Sequence, residues 1–343
     1  MHNGTREQFW RLLDRSGVTA ALRTVTRGFR ILTYHSFSPA PWNGVADSQT
    51  MACLRAQLRF LTEHFEVVSL AKGLLAMSQR SFGPRQRVAI TIDDGYADNY
   101  HLLYPILKEL NLRATVFLTT DYLDTGRLIW PVRIFEILLA TRKPSMTWPI
   151  QASLTDPVSR AAVNQRLRAH LAPLDPERRL EILAGLAVQL GLSHETQLPP
   201  LTWDQVREMA SDLVEFGSHT VYHSFLPLLS SSAARTELEA SKRRIEEETG
   251  RPCRMFAYPN GDYDAVSAAH VAAAGYKAAL TQRLGVNRPS TSPYELARIH
   301  VPPDYAPHAF AFRVSTPPVT DLLVRAWTLM RSARNCFRAA PAA

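Results

Sequence analysis

The feature that most constrains the fold is a repeated alternation of short apolar runs with helical patterns. Six apolar segments predict strands, at 29–35, 88–92, 114–119, 213–219, 254–259 and 276–281. Five segments between or beside them have helical periodicity, at 56–65, 99–112, 202–212, 233–249 and 264–274. Strands that alternate with helices indicate a parallel sheet joined by crossover helices. The sequence therefore predicts an α/β fold.

Polar residues follow several of these predicted strands at the point where each strand ends. They are His35, Asp93 and Asp94, His219, and Tyr258–Asn260. In parallel α/β folds, active sites lie at the carboxyl ends of the strands. We therefore expect these side chains to meet in one site.

The segment "FGSHTVYHSF" contains two histidines, His219 and His223, four positions apart. On a helical turn both imidazoles project from one face, a spacing that suits a divalent transition metal. A pair of this kind is also common among ordinary helix-surface residues. The spacing alone therefore leaves a metal site and a structural role open.

The segment "TIDDGY" places Asp93 and Asp94 at a strand end before Gly95. There both carboxylates can reach one polar pocket, where one completes a His–His–Asp metal site and the other accepts a proton from water. The alternative is that Asp94 caps the following helix and Asp93 is a solvated turn residue. The pair alone does not decide between them.

Charge and composition narrow the class of protein. The chain has 343 residues, a net charge of +8 and three scattered cysteines, which excludes a disulfide framework. We find no apolar run of transmembrane or signal-peptide length, and we expect a cytoplasmic protein. Arginines near both ends accompany amphipathic patterns that predict either terminal helices packed on the domain or a peripheral contact with an anionic membrane on the inner face. No nucleic-acid module is evident.

The sequence predicts three regions. Residues 1–28 form a basic helical segment, 29–312 a catalytic domain, and 313–343 a basic amphipathic tail. Within the domain, 121–201 interrupts the alternation with helical patterns and carries no recognisable site. We interpret it as a helical insertion that caps or borders the mouth of the site.

Taken in order, "TIDDGY", "SHTVYH" and "FAYPNG" resemble the polysaccharide deacetylase family, also called the nodulation-deacetylase homology domain or carbohydrate esterase family four. The leading "LTYHSF" is similar to the branch with an early Tyr-His motif, which includes poly-N-acetylglucosamine deacetylases. The resemblance spans about 29–120 and 202–301. It implies a distorted (β/α) barrel with a helical insertion and a metal-dependent amide hydrolase acting on N-acetylated sugars.

The resemblance also implies roles for single residues. Asp94, His219 and His223 would hold a zinc-like ion, with cobalt or nickel as alternatives. Asp93 would be the base that activates water on that metal, and His35 the acid that protonates the leaving amine. The late "ARIHV" offers His300 as a second acid candidate, as in the family's other branch.

The backbone of "YPNG" is the predicted oxyanion and substrate contact, comprising Tyr258, Pro259, Asn260 and Gly261. This segment departs from the family pattern twice, because Ala257 replaces an arginine that positions the catalytic aspartate and Asn260 replaces a tyrosine. Arg298 is interpreted as a site-lining or structural cation.

The expected activity is removal of N-acetyl groups from N-acetylhexosamine units of a bacterial polysaccharide or its precursor. A second hypothesis is a deformylase or deacetylase of a lipid-linked sugar at the cytoplasmic membrane face. A third is a non-catalytic carbohydrate-binding relative that keeps the barrel.

Overall fold

The computed structural model describes residues 3–37, 48–81, 83–192 and 198–317. Its strands are, in chain order, β1 (Arg30–Tyr34), β2 (Glu66–Val67), β3 (Arg87–Ile92), β4 (Ala114–Leu118), β5 (Ser145–Met146), β6 (Ala152–Ser153), β7 (Val214–Ser218), β8 (Met255–Ala257), β9 (Ala278–Leu284) and β10 (Leu296–His300). Seven of them form a closed parallel barrel in the order β1-β10-β9-β8-β7-β4-β3, closed by the pairing of β1 with β3. The predicted (β/α) barrel is confirmed.

Helices surround the barrel. They are α1 (Asn3–Arg15), α2 (Val18–Val25), α3 (Ser48–His64), α4 (Leu70–Ser78), α5 (Tyr104–Leu110), α6 (Thr120–Thr125), α7 (Trp130–Ala140), α8 (Pro157–Leu171), α9 (Pro176–Gln189), α10 (Trp203–Ala210), α11 (Ser231–Thr249), α12 (Ala265–Ala273) and α13 (Pro307–Ser315). Because helices cover the outside and side chains fill the inside, β1, β4 and β8 are buried along their whole length.

The barrel register brings the carboxyl ends of distant strands to one edge. Tyr34 of β1 pairs with Ile92 of β3, and Leu118 of β4 pairs with Ser218 of β7. Thr33 of β1 pairs with His300 at the end of β10. The residues that follow these strands therefore meet at one mouth of the barrel.

Local signals in the sequence explain most of the element boundaries. Thr202 and Gln205 form a capping box that starts α10, and Gly250 ends α11 with φ +64°. The predicted helix at 99–112 begins as a π-helical turn, Asn99–Leu103, before α5. Strand β10 was not predicted, because the buried Arg298 interrupts its apolar pattern.

The predicted insertion is helical, as expected from its sequence, and comprises α6 to α9 with the antiparallel hairpin of β5 and β6. Its helices enclose a hydrophobic cluster separate from the barrel core, formed by residues such as Ile134, Leu167 and Leu186. The cluster also includes Phe225, a residue from outside the insertion that follows β7. The insertion is thus anchored to the loop after β7.

Helices α1 and α2 pack against α13, near the other end of the chain. The rings of Trp10 and Phe312 lie 4.8 Å apart, and His308 Nδ1 lies 2.8 Å from Asp14 Oδ2. Helix α13 crosses the predicted domain boundary after residue 312, and the predicted amphipathic tail lies outside the described residues from 318 onward. In the part of the chain that the structure describes, no helix is long and apolar enough to cross a membrane.

Candidate metal and active site

The backbone brings the predicted site residues together at the carboxyl edge of the barrel. The N–H of Asp93 donates to the carbonyl of Tyr34 at 3.0 Å, which places "TIDDGY" beside "LTYHSF". The N–H of His219 donates to the carbonyl of Leu118 at 2.9 Å. Since these strands are neighbours in the barrel, their following residues surround one shared space.

Asp94, His219 and His223 form a compact, buried group of three metal-ligand side chains. His219 Nε2 lies 3.5 Å from Asp94 Oδ1, and His223 Nε2 lies 3.7 Å from the same oxygen. Ligand atoms about 2.0–2.1 Å from a tetrahedral zinc ion lie roughly 3.3 Å apart. The spacing therefore fits a first-row divalent metal after only small adjustments.

Two atoms of this group are buried without a hydrogen-bond partner in the described residues, Asp94 Oδ1 and His223 Nδ1. Buried polar atoms are rarely left in that state. His219 Nδ1 donates to the carbonyl of Ala257 at 2.7 Å, which leaves the Nε2 lone pair free for a ligand. Burial and the neighbouring His219 lower the pKa of His223 well below its ordinary value, so its imidazole is neutral. The unpartnered oxygen of Asp94, the free Nε2 of His219 and the neutral imidazole of His223 suit metal ligation.

The prediction that the two histidines lie on a helical turn is wrong. Residues 219–225, which we call the ligand loop, have no helical structure. Thr220 has φ +68° and His223 has φ +54°, and these left-handed residues turn both imidazoles inward. Asp94 has φ +78° as well. Left-handed conformations of non-glycine residues cost about 1–3 kcal/mol each and persist where surrounding contacts enforce them.

Gly95 is required by the space around it as well as by its backbone. It has φ +85°, and a Cβ atom there would lie 2.8 Å from Leu118 Cδ2. The glycine thus lets the chain leave the site without pressing on the side chain of Leu118.

Asp93 lies beside the metal group and is completely buried. Arg298 holds both of its oxygens, with Nη1 to Oδ1 and Nη2 to Oδ2 each at 2.7 Å. Burial alone raises the pKa of Asp93, but the charge of Arg298, followed by His219 and His35, outweighs it and keeps the pKa well below the ordinary value. Asp93 is therefore an oriented carboxylate.

The placement of Arg298 favours the structural of the two roles that the sequence left open for it. Its side chain is fully buried, donates to the carbonyl of Thr281 at 2.8 Å and pairs with Asp93, so it offers no surface to a substrate. It supplies the aspartate-positioning cation that the Ala257 position lacks. Sequence reasoning missed this because the two residues are 205 positions apart.

His35 and His300 lie on the open side of Asp93. The side chain of His35 is 33% exposed, and its Nε2 is 3.8 Å from Asp93 Oδ2. The ring of His300 is 5.5 Å from that of His35. Desolvation by surrounding atoms lowers the pKa of His300 to about 4, with contributions from His35 and Arg313, although the residue keeps an exposed edge. At neutral pH His300 is therefore uncharged.

Asp98 and Asn99 support the segment that carries His35. Asp98 Oδ2 accepts hydrogen bonds from Ser36 Oγ at 2.6 Å and from the N–H of Phe37 at 2.7 Å. Asn99 Nδ2 donates to the carbonyl of His35 at 3.1 Å. The sequence indicated only a helix start here, so these two buried residues are additions to the site.

The "YPNG" turn offers one backbone donor to a substrate. The N–H groups of Tyr258 and Gly261 already donate to Leu280 and Tyr258 carbonyls, and Pro259 has no N–H. Tyr258 also commits its hydroxyl, to the carbonyl of Tyr294. Among the described residues, the N–H of Asn260 has no acceptor. Of the four residues predicted for the oxyanion contact, Asn260 is thus the one with a free donor.

Three buried residues that the sequence did not single out surround the ligand loop. Trp130 Nε1 donates to the carbonyl of His223 at 3.1 Å, and Arg179 Nη2 donates to Ser224 Oγ at 3.0 Å. Glu237 accepts from Ser224 Oγ at 2.6 Å. Burial raises the pKa of Glu237 and lowers that of Arg179. No local motif marks these residues, because they come from separate helices.

With this geometry established, the chain can be placed among known proteins. A closed parallel barrel with a His–His–Asp group and an adjacent aspartate at one mouth suits a metal-assisted hydrolase. The polysaccharide deacetylase family model matches residues 81–279, more than half of the chain. The chain belongs to this family.

Individual relatives are distant. YxkH of Bacillus subtilis (strain 168), a protein named as a candidate polysaccharide deacetylase, is 21% identical over 281 residues, which cover 82% of this chain and 74% of YxkH. The Streptococcus pyogenes deacetylase PplD, solved in complex with acetate, has a TM-score of 0.58 at 19% identity over 84% of this chain and 99% of PplD. IcaB from Ammonifex degensii has a TM-score of 0.54 at 19% identity over 84% and 97% of the two chains. At these identities the solved structures show the shared fold.

Proposed function

We propose that the protein is a metal-dependent deacetylase that removes N-acetyl groups from N-acetylhexosamine units of a bacterial polysaccharide or its precursor. Family membership supports a carbohydrate deacetylase. The metal-dependent mechanism rests on one observation: the adjacent residues Asp93 and Asp94 have different surroundings. Asp94 has an unpartnered buried oxygen between two histidines, whereas Asp93 is held by Arg298 beside them.

These contacts lead to the role that we propose for each residue. Asp94, His219 and His223 would hold the metal, with zinc as the first choice and cobalt or nickel as alternatives. A metal held there would lower the pKa of a water and polarise the scissile carbonyl. Asp93 takes a proton from the attacking water, and its bidentate contact with Arg298 fixes the direction of its remaining lone pairs.

The leaving amine needs a proton when the amide C–N bond breaks. We assign this proton to His35, because it lies 3.8 Å from Asp93 on the open side of the site and its side chain is partly exposed. His300, with a pKa of about 4, holds little proton at neutral pH and is the weaker candidate. The N–H of Asn260 is the proposed donor to the oxygen of the tetrahedral intermediate. The products are acetate and a free amino sugar.

The test is acetate release from a panel of N-acetylated oligosaccharides and lipid-linked N-acyl sugars, before and after chelation. We expect release from at least one N-acetylhexosamine oligomer, loss of release after chelation and recovery when zinc is added. Release that persists in the fully chelated protein contradicts metal dependence. Sugar binding without acetate release under all metals would support the non-catalytic alternative.

A second candidate, supported by the surface of α1 and α2, is a deformylase or deacetylase of a lipid-linked sugar at the cytoplasmic membrane face. Phe9, Leu12 and Val25 are 47%, 66% and 74% exposed, and exposed Arg15 and Arg27 lie in the same segment. Apolar side chains beside cations suit an anionic bilayer. We expect co-sedimentation with phosphatidylglycerol vesicles but not phosphatidylcholine vesicles, and loss of it in the Phe9→Glu/Leu12→Glu variant. Equal sedimentation of variant and wild type contradicts this placement.

A further inference from the structure

The ligand loop is held from outside the barrel, by residues of the insertion. Trp130 begins α7 and donates from Nε1 to the carbonyl of His223 itself at 3.1 Å. Arg179 lies in α9 and donates from Nη2 to Ser224 Oγ at 3.0 Å. Phe225, two residues after the ligand, is part of the insertion's hydrophobic cluster and lies 5.2 Å from the ring of Trp130. Three consecutive loop residues thus contact the insertion.

Other polar groups of the loop are bound by α11 and by the start of α6. The N–H groups of Val221 and Tyr222 donate to Glu237 Oε2 at 2.7 and 3.1 Å. The carbonyls of Thr220 and Val221 accept from the N–H groups at the start of α6. Ser224 connects the two sides, because its hydroxyl accepts from Arg179 and donates to Glu237. The loop is therefore clamped between α11 and the insertion.

These contacts hold the ligand loop in a backbone conformation that it would otherwise leave. Thr220 and His223 both adopt left-handed backbone conformations, which non-glycine residues leave unless neighbouring contacts hold them. If the loop relaxed, the imidazole of His223 would turn away from Asp94. Trp130 opposes this relaxation at His223 itself, and Arg179 does so at Ser224 together with Glu237 of α11. Trp130 and Arg179 both lie in the insertion, outside the barrel.

We propose that the insertion is a positioning device for the second histidine ligand, with Trp130 and Arg179 as its positioning residues. It sets the metal affinity of the site by holding the ligand loop, in addition to bordering the mouth. The inference rests on the proposed metal site, and it assigns a role to a region in which the sequence offered no recognisable site. Replacing a residue that orients a metal ligand without touching the metal typically lowers metal affinity by about 10–100-fold.

The test measures metal binding rather than turnover. Apo protein is titrated with Co²⁺ against a competing chromophoric chelator, and the visible spectrum of the bound ion is recorded. We expect Arg179→Met to weaken Co²⁺ binding by about 10–100-fold and to alter the spectrum. Trp130→Phe keeps an aromatic ring but removes the donor to His223, and we expect a smaller loss in the same direction. Acetate release by both variants should recover at high metal concentration.

A matched control comes from Arg160, which is also an arginine of the insertion. Its guanidinium donates to the carbonyls of Leu154, Thr141 and Leu138, all within the insertion, and among the described residues none of its hydrogen bonds reaches the ligand loop. Arg160→Met should lower thermal stability while leaving Co²⁺ affinity and spectrum unchanged. This separates general loosening of the insertion from loss of ligand positioning.

The outcomes are distinct for the two proposals. Wild-type protein that binds no Co²⁺ at this site contradicts the proposed function itself. Wild-type protein that binds Co²⁺, with Trp130→Phe and Arg179→Met both within twofold of its affinity, overturns the positioning role alone. Equal weakening in Arg160→Met also overturns it. If Arg179→Met does not fold, the comparison of Co²⁺ affinity between Trp130→Phe and Arg160→Met decides the question.

Discussion

The two sides of Asp93 differ in how much freedom the fold leaves their histidines. On one side His219 and His223 are buried, held by a backbone carbonyl and by the ligand loop, and each has Nε2 within 4 Å of Asp94 Oδ1. On the other side His35 is one-third exposed, and His300 has an exposed edge. A metal ligand must stay fixed through the reaction, whereas an acid must reach the substrate and exchange protons with solvent. The site therefore combines a rigid half and an open half.

Removing a ligand from the rigid half should have the largest effect. We expect His219→Ala to lose its bound metal and to reduce acetate release by about 10³-fold or more, since metal activation of water and carbonyl contributes several kcal/mol. Metal content by elemental analysis and acetate release from the best oligosaccharide give the two readings. His101→Ala, at an exposed histidine outside the site, is the control and should retain both. Full metal content in His219→Ala would contradict the role of His219 as a metal ligand, and with it the contrast between the rigid half and the open half of the site.

Replacing the histidines of the open half should separate the acid from its neighbour. We expect His35→Gln to lower kcat by about 10²–10⁴-fold while keeping the metal, as for loss of a general acid. His300→Gln should cost less than about tenfold, because a histidine with a pKa of about 4 carries little proton at neutral pH. The reverse ranking would make His300 the acid.

The smallest expected effect is that of His300→Gln on the pH dependence of the free energy of unfolding. The pKa of His300 in the folded protein is about 4, below its ordinary value of 6.5. As pH falls from about 6.5 toward 4, the unfolded chain binds this proton before the folded chain does, so the free energy of unfolding decreases. His300→Gln should remove that contribution, and its thermal midpoint should fall less than that of wild type between pH 7 and pH 5.

The control for this measurement is His170→Gln, at an exposed residue of α8. It should follow the wild-type slope of thermal midpoint against pH. A His300→Gln variant with the same slope as wild type would show that this histidine does not titrate abnormally.

The rigid half also marks where sequence reasoning succeeded. Asp93, Asp94, His219 and His223 were found because short motifs follow strands that the apolar pattern makes visible, and the barrel brings those strand ends together. The helical geometry assigned to His219 and His223 was wrong, since left-handed conformations at Thr220 and His223 replace a helical turn. Spacing indicates which residues meet and leaves the backbone path between them undetermined.

The parts that sequence reasoning missed are all long-range. Arg298 pairs with an aspartate 205 positions away. It lies in β10, a strand that is hard to recognise from the sequence because the charged Arg298 interrupts its apolar pattern. Trp130 and Arg179 act on the ligand loop from the insertion, where the sequence shows ordinary helices. These residues are recognisable only by their contacts, because a lone buried tryptophan or arginine has no local pattern.

The central claim is that the two neighbouring aspartates have different tasks, and Asp93→Asn tests it most directly. Asparagine has nearly the same shape but cannot take a proton from water. We predict that Asp93→Asn binds as much metal as wild type and releases acetate at a rate lower by about 10²–10⁴-fold. Near-normal acetate release, or loss of the metal together with activity, would contradict the account.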